Sequence, residues 1–210
     1  MGLLMKLSKT ASYYKNKLNL MNKLKSYQLV HLYLEGKKVL DLGCGRGEYL
    51  QNFSKDSLGI EISKPNIKYC HKKGLKVLTQ DLNLELPLSS HSFEAIFCSH
   101  VLEHLESPIK MLREIKRVLK KGGILVIGLP IEGSLLNYFD QYYEDHPGHL
   151  YSFSLKNIKI LLEIIELSME RIFFEPPLAR FLPMIFIQIY QLFPNWILMK
   201  LSGAYWVMAK

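Results

Sequence analysis

Short apolar runs alternate with longer amphipathic stretches along most of the chain. The runs predict strands at residues 39–42, 56–61, 75–80, 93–98 and 124–130. Between the last two, Met111, Leu112, Ile115 and Val118 recur at helical spacing and form one apolar face. Two further runs, 169–174 and 204–209, predict a sixth and a seventh strand. Strands alternating with helices indicate an α/β fold built around a mainly parallel sheet.

Two segments stand outside this alternation. Residues 1–36 form an N-terminal extension, within which 8–34 lack Pro and Gly and predict a helix. That helix either covers a binding site or only packs against the domain, which comprises residues 37–210. A second helical insertion, at about 176–201, carries no charge between 181 and 199. Pro183 and Pro194 interrupt it, so we expect it to line a pocket or to contact a bilayer or a second subunit, and not to span a membrane.

The glycine loop after the first strand is the strongest signal for binding. The strand 39–42 carries Asp41 near its end, and Gly43, Gly45 and Gly47 follow at alternate positions. Glycine adopts backbone angles that other residues avoid and lets a ligand approach the main chain. A helix beginning after Gly47 would direct its free N–H groups toward the loop. The D-x-G-x-G-x-G spacing predicts a cradle for a nucleotide cofactor, but it differs from the dinucleotide fingerprint G-x-G-x-x-G.

Acidic residues recur where the next strands end. Glu61 ends the second strand, and a carboxylate there suits the hydroxyls of a ribose. Asp81 follows the third strand and suits the start of an Asx turn. The fourth strand continues into Ser99-His100-Val101-Leu102-Glu103-His104-Leu105. Gly122-Gly123 ends the helix before the fifth strand, so we expect that helix to run to 121.

This ordered set, within residues 37–130, resembles the small single-domain class I S-adenosylmethionine (AdoMet)-dependent methyltransferases. The resemblance implies a three-layer Rossmann-like fold with a seven-stranded, mostly parallel sheet of order 3-2-1-4-5-7-6, strand seven antiparallel. It also implies AdoMet as the cofactor and S-adenosylhomocysteine as the product. Its cofactor contacts map onto nine positions here: Asp41, Gly43, Cys44 and Gly45 at the methionine end, Glu61 at the ribose, Ile62, Asp81 and Leu82 around the adenine, and Ser99.

Methyl transfer requires an acceptor atom that is held in line and, for a hydroxyl, freed of its proton. We expect His149, in the loop after strand five, to act on the acceptor, with His104 as a second catalytic candidate. His104 alternatively braces its loop. Some related O-methyltransferases use an E-x-x-E-H segment to hold a metal; here His100 replaces the first glutamate. We therefore expect no metal, while a metal-assisted O-methyltransferase, acting on a quinone precursor or an RNA end, remains the alternative.

Composition bears on partners and compartment. The net charge of +8 and the pI near 9.2 allow an anionic partner. We interpret the excess lysines, at 6–38 and 110–121, as solvated helix faces, and no RNA-binding module is recognisable. We therefore expect a small-molecule, glycan or lipid-like acceptor with a hydroxyl or amine, peripheral membrane contact through the apolar insertion, and no nucleic acid.

Other features of the sequence leave the quaternary structure and the activity open. A homodimer is compatible with the sequence. Three scattered cysteines and no recognisable signal peptide indicate a cytoplasmic protein. A non-catalytic AdoMet-binding protein and a basic RNA methyltransferase are the other function classes.

Overall fold

A seven-stranded sheet with the order β3-β2-β1-β4-β5-β7-β6 organises the chain and confirms the predicted topology. The structure is a computed structural model that describes residues 30–131, 148–175 and 184–210. Strand β7 runs antiparallel to both β5 and β6, whereas the β3-β2-β1-β4-β5 pairs are parallel. The strands are β1 Val39–Leu42, β2 Leu58–Glu61, β3 Val77–Thr79, β4 Phe93–Ser99, β5 Leu119–Pro130, β6 Met169–Phe174 and β7 Ala204–Ala209.

Helices connect the strands and cover the sheet. They are α1 Lys64–Lys72, α2 Pro108–Val118, α3 Leu155–Ile164, α4 Met184–Tyr190 and α5 Asn195–Leu201, with 3₁₀ turns at Leu50–Asn52 and Leu102–His104. Proline stands in the first turn of α1 and of α2, where its missing N–H has no helical partner to lose. The Ser154 hydroxyl caps α3 by accepting from the Asn157 N–H at 3.2 Å.

The core lies on both faces of the sheet. On one face Leu40, Leu42 and Ile96 pack with the apolar stripe of α2 and with α3. On the other, Phe97 stacks on Trp206 at 5.5 Å between ring centroids. Because successive strand residues point to opposite faces, near-continuous apolar runs are what a sheet covered on both sides requires.

Two predicted elements differ from the structure. The helix expected after Gly47 is only the 3₁₀ turn Leu50–Asn52, which the side chains of Gln51 and Asn52 close by donating to the Glu48 carbonyl at 3.0 and 3.1 Å. The helix expected to run to 121 ends at Val118, because Leu119 already pairs with Phe93 at the start of β5. The register then shifts before Ala95 pairs with Ile124, so residues 120–123 form a bulge.

The outer segments are described only in part. Residues 1–29, which include most of the predicted N-terminal helix, lie outside the described residues. So do residues 132–147 of the loop after β5, among them His146, and residues 176–183 of the apolar insertion. The part of the insertion that is described forms α4, α5 and the turn between them, whose exposed side chains include Phe186, Leu192 and Trp196. Among the described residues, no helix has the length and apolar character of a membrane span.

Candidate functional site

The carboxyl ends of β1 and β4 form the centre of the site. The strand order reverses between them, so the connections leave in opposite directions and open a crevice. Asp41 is only 2% exposed, and its Oδ2 atom has no hydrogen-bond partner. The Ser99 hydroxyl, at the end of β4, is likewise buried without a partner. Buried polar atoms are nearly always paired, so two unpartnered groups at one crevice indicate a ligand that pairs them.

Burial, the nearby carboxylates and the Cys70 thiol raise the pKa of Asp41 well above its ordinary value. An ionised Asp41 would therefore be stabilised by a cation arriving in the crevice. Cys44 forms part of the adjoining wall. Its interaction with Cys70, together with burial, raises the pKa of its thiol, so Cys44 presents a neutral surface.

The glycine loop lies against this crevice with its main chain uncovered. Gly43 and Gly45 have φ angles of +66° and +57°, in the left-handed region that favours glycine. A Cβ on Gly43 would stand 2.6 Å from Val101 Cγ2, so the close approach of the two segments also requires glycine. The loop is anchored by the Cys44 N–H, which donates to the Ile60 carbonyl at 2.9 Å.

Glu61 joins the loop to the start of α1. Its Oε2 accepts from the Gly45 N–H at 2.8 Å, and its Oε1 accepts from the N–H groups of Ile62 and Ser63 at 2.9 and 2.7 Å. A carboxylate offers about four acceptor positions, so about one remains for a ribose hydroxyl. The predicted contact with both hydroxyls would need Glu61 to release a main-chain partner.

The residues assigned to the adenine flank the ends of β2 and β3. Ile62 is 61% exposed, and Leu82 is half-buried against the core. Asp81 makes the Asx turn that was the alternative interpretation, because its Oδ1 accepts from the Asn83 main-chain and side-chain N–H groups at 2.9 and 3.2 Å. The Asn83 side chain in turn accepts from the Glu106 N–H at 2.9 Å, which ties this loop to the segment after β4.

A carboxylate and two imidazoles converge after β4. One ligand atom from each of Glu103, His104 and His149 lies within 4.8 Å of the others. The two rings meet edge to face with centroids 4.8 Å apart. His104 Nδ1 is 2.9 Å from the Gly148 carbonyl oxygen, which only accepts, so the ring donates there and its Nε2 keeps a lone pair. Donor atoms on one divalent ion lie at most about 4 Å apart, so a small contraction would complete a ligand set.

Backbone hydrogen bonds hold the two halves of this cluster together. The Glu103 carbonyl accepts from the N–H groups of Leu150 and Tyr151 at 2.7 and 3.3 Å. The Tyr151 hydroxyl donates to the Glu106 carbonyl at 3.0 Å. The segment 148–151 is thereby fixed against 103–106, and His149 is positioned by main-chain contacts on both sides of it.

Glu103 is completely buried, which opposes its ionisation. Nevertheless its pKa is lowered below the ordinary value, chiefly by His100 and also by His104. His100 Nδ1 lies 3.3 Å from Glu103 Oε1. The histidine that replaces the glutamate of the related segment therefore lies beside Glu103, whose two buried oxygens have no hydrogen-bond partner among the described residues, and the cluster gathers a buried carboxylate beside two imidazole rings.

Glu103 entered the sequence interpretation only as the carboxylate of the alternative metal site, and not as a catalytic or cofactor-binding residue. The pairing of 103–106 with 148–151 was missed, since it depends on main-chain groups that leave no residue signature.

A family model described as "Methyltransferase domain" matches residues 40–127. The chain is 33% identical over 131 residues to an uncharacterized protein of Methanocaldococcus jannaschii, covering 62% of each chain. It is 33% identical over 130 residues to a tRNA U34 carboxymethyltransferase of Desulfotalea psychrophila, covering 55% of this chain and 40% of that one. It is 31% identical over 102 residues to a ubiquinone biosynthesis O-methyltransferase of Methylococcus capsulatus, covering 44% and 43%. The chain thus spans less than two thirds of the length of these curated relatives.

Solved structures match over nearly the whole chain. A SAM-dependent methyltransferase from Archaeoglobus fulgidus superposes with a TM-score of 0.73 at 23% identity, covering 95% of this chain and 99% of that one. A likeness at this identity shows the fold alone.

The relatives correct one expectation from the sequence. We expected a small-molecule or lipid-like acceptor and no nucleic acid, but tRNA methyltransferases recur among the matching proteins. The error came from treating the lack of a recognisable RNA-binding module as an argument against RNA.

Proposed function

We propose that this chain is a class I AdoMet-dependent methyltransferase that transfers the methyl group of AdoMet to an oxygen of an RNA acceptor. The observation that carries the proposal is the crevice between β1 and β4, where Asp41 and Ser99 are buried without hydrogen-bond partners beside an uncovered glycine loop. The tRNA methyltransferases among the relatives support RNA as the acceptor class.

The residues of the crevice fit the cofactor. The unpartnered Asp41 oxygen suits the ammonium group of a methionine moiety, and the adjoining glycine loop, in which Gly43 is exposed, brings main-chain groups to its side. The remaining acceptor position on Glu61 suits one ribose hydroxyl. Ile62 and Leu82 provide apolar surface for the adenine ring, and Ser99 adds a hydroxyl near the centre. When bound, AdoMet supplies a methyl group already activated on a sulfonium.

The acceptor side depends on His149 and His104. Held by the contacts between 148–151 and 103–106, His149 removes or orients the proton of an acceptor hydroxyl. His104, whose Nδ1 is committed to the Gly148 carbonyl, supports His149 through the edge-to-face contact. Glu103 stabilises positive charge on the neighbouring imidazoles as protons move through the cluster.

Transfer of a radiolabelled methyl group from AdoMet to bulk transfer RNA tests the proposal. We expect label in RNA that ribonuclease treatment releases. His149→Ala should keep its affinity for S-adenosylhomocysteine and lose about 100-fold or more in turnover. The control is His91→Asn. His91 lies just before the amino end of β4, away from the crevice at the carboxyl ends, and asparagine tolerates its φ of +54°. Unlabelled RNA across several RNA pools would contradict the acceptor assignment, and full activity of His149→Ala would contradict the catalytic role.

A second candidate is metal-assisted O-methylation, favoured by the ligand-like grouping of Glu103, His104 and His149. A buried carboxylate and two imidazoles are a suitable donor set for a divalent transition ion. Such an ion would lower the pKa of an acceptor hydroxyl, so that His149 would serve as a ligand and not as a base.

Titration with Mn²⁺, followed calorimetrically, separates the two versions. The metal version predicts one site that is lost in Glu103→Gln and in His149→Ala and kept in His91→Asn. It also predicts that a chelator abolishes turnover and that added metal restores it. If Mn²⁺ does not bind and turnover resists the chelator, the metal version is excluded and the version with His149 as the base stands.

A further inference from the structure

Helix α1 presents one face of positive charge. Lys64, Lys68 and Lys72 are spaced four residues apart, so their side chains follow one side of the helix. His71 lies beside them, and we refer to these four residues as the lysine ridge. Together with Ile67 and Thr79, the ridge lines an open cavity of about 480 Å³ whose lining contains no acidic residue.

The charge of the ridge is not balanced within the described part of the chain. Helix α1 contains no acidic residue, and none of the ridge lysines forms an ion pair with a described carboxylate. The nearby Lys76 does have a partner, Asp56, at 3.5 Å. Like charges four residues apart destabilise a helix, and an external anion would remove that repulsion.

The ridge begins close to Glu61, the residue assigned to the cofactor ribose. The residue before Lys64 is Ser63, whose N–H donates to Glu61 at 2.7 Å. On its buried side, away from the ridge, the same helix contacts the glycine loop, where the Cys70 thiol donates to the Gly45 carbonyl at 3.5 Å. From Lys64 to Lys72 the helix rises about 12 Å, at about 1.5 Å per residue. That length is enough to contact a few successive phosphates of a nucleic-acid strand.

We propose that the lysine ridge binds the phosphates of an RNA strand whose target nucleotide occupies the methyl-transfer site. The inference rests on the proposed RNA acceptor and adds the surface that positions it. Lysine ammonium groups contact phosphate oxygens as point charges and do not read bases. The ridge therefore contributes affinity and placement, while the choice of nucleotide depends on the crevice.

Fluorescence anisotropy with labelled bulk transfer RNA and with a short oligouridylate tests the ridge directly. The variant is Lys68→Gln/Lys72→Gln. The matched control is Lys55→Gln/Lys121→Gln, which removes the same charge from exposed positions outside the ridge. Lys55 precedes β2, and Lys121 lies near the start of β5.

Each lysine that releases counterions from a single strand contributes about 0.7 to the slope of log affinity against log salt. We expect the ridge variant to lose about 1 to 2 from the magnitude of that slope, and at least about tenfold in affinity at about 50 mM salt. The control should keep the wild-type slope, apart from a small uniform loss of long-range attraction.

The remaining outcomes have separate meanings. A ridge variant that matches the control in affinity and slope would overturn the ridge proposal, while methyl transfer to RNA could still stand. Wild-type protein that binds neither RNA would overturn the ridge and the RNA acceptor together. Uridine monophosphate that competes as strongly as the oligouridylate would show a free nucleotide ligand and would also overturn the strand assignment. Unchanged affinity for S-adenosylhomocysteine in both variants verifies that each is folded around its cofactor site.

Discussion

Replacing Asp41 by Asn should separate cofactor binding from folding, because the two depend on its charge with opposite sign. The carboxylate is 2% exposed, has one oxygen without a partner and faces negative neighbours at Glu48 and Glu61. In the protein without cofactor, this buried negative charge destabilises the folded state. With cofactor, it is the available partner for the ammonium group of the methionine moiety.

The two effects differ enough to be measured. Loss of a hydrogen bond to a charged group costs about 1.5–3 kcal/mol, which corresponds to a rise of about 10- to 150-fold in the dissociation constant. Asparagine keeps the shape of the side chain and removes the buried charge, so unfolding of the cofactor-free variant should require the same free energy or about 1 kcal/mol more. Because the folded pKa of Asp41 is raised, wild-type stability should fall as pH rises above the ordinary carboxyl range, and the variant should lack this dependence.

Calorimetric titration with S-adenosylhomocysteine and thermal unfolding without ligand measure the two quantities. Asp56→Asn is the control, because its side chain is 82% exposed and lies outside the crevice. Asp41→Asn with a dissociation constant within twofold of wild type would refute the assignment of Asp41 to the cofactor. A variant that loses both affinity and stability would show instead that Asp41 holds the fold.

Two further predictions concern stability. Gly43→Ala should destabilise the protein and weaken cofactor binding well beyond Gly74→Ala. The two glycines have similar left-handed φ angles, but only at Gly43 would a Cβ stand against Val101. Equal unfolding temperatures of the two variants would contradict this argument from close approach. Burial raises the pKa of Glu175 to about 7, so its ionisation should reduce stability as pH rises from about 4.5 through 7. Glu175→Gln should raise the unfolding free energy at pH 8 by roughly 1–3 kcal/mol and leave it nearly unchanged at pH values below the ordinary carboxyl pKa. If wild type and variant showed the same dependence of unfolding free energy on pH, the buried ionisation of Glu175 would be ruled out.

The topology could be predicted because each strand and its following acid or glycine are local signals. Asp41, Glu61 and Ser99 all lie where parallel strands end, so the order of the elements brings them to one edge without knowledge of any long-range contact. The start of β5 could not be read in the same way. Leu119 continues the apolar stripe of α2 and equally suits a strand, and its pairing with Phe93 decides between them.

The acceptor side was less predictable for a physical reason. Glu103 and Leu150 are far apart in sequence and are joined through a main-chain carbonyl and a main-chain N–H, which every residue type possesses. The lysine ridge, by contrast, was visible as Lys64-x-x-x-Lys68-x-x-x-Lys72. The ridge contributes only three lysines, so the net charge does not reveal it, and the longer lysine-rich stretches at 6–38 and 110–121 dominate the charge pattern.

The contacts of residues 103–106 connect the two sides of the site. On the cofactor side, the Glu106 N–H donates to Asn83, which is itself held by Asp81. On the acceptor side, the carbonyls of Glu103 and Glu106 accept from the segment that carries His149. We therefore expect a ligand that draws the Asp81 loop inward to act on the same four residues that position His149, the proposed catalytic histidine. Because packed, hydrogen-bonded segments shift as units, we infer that cofactor binding and the placement of His149 are linked through this short segment.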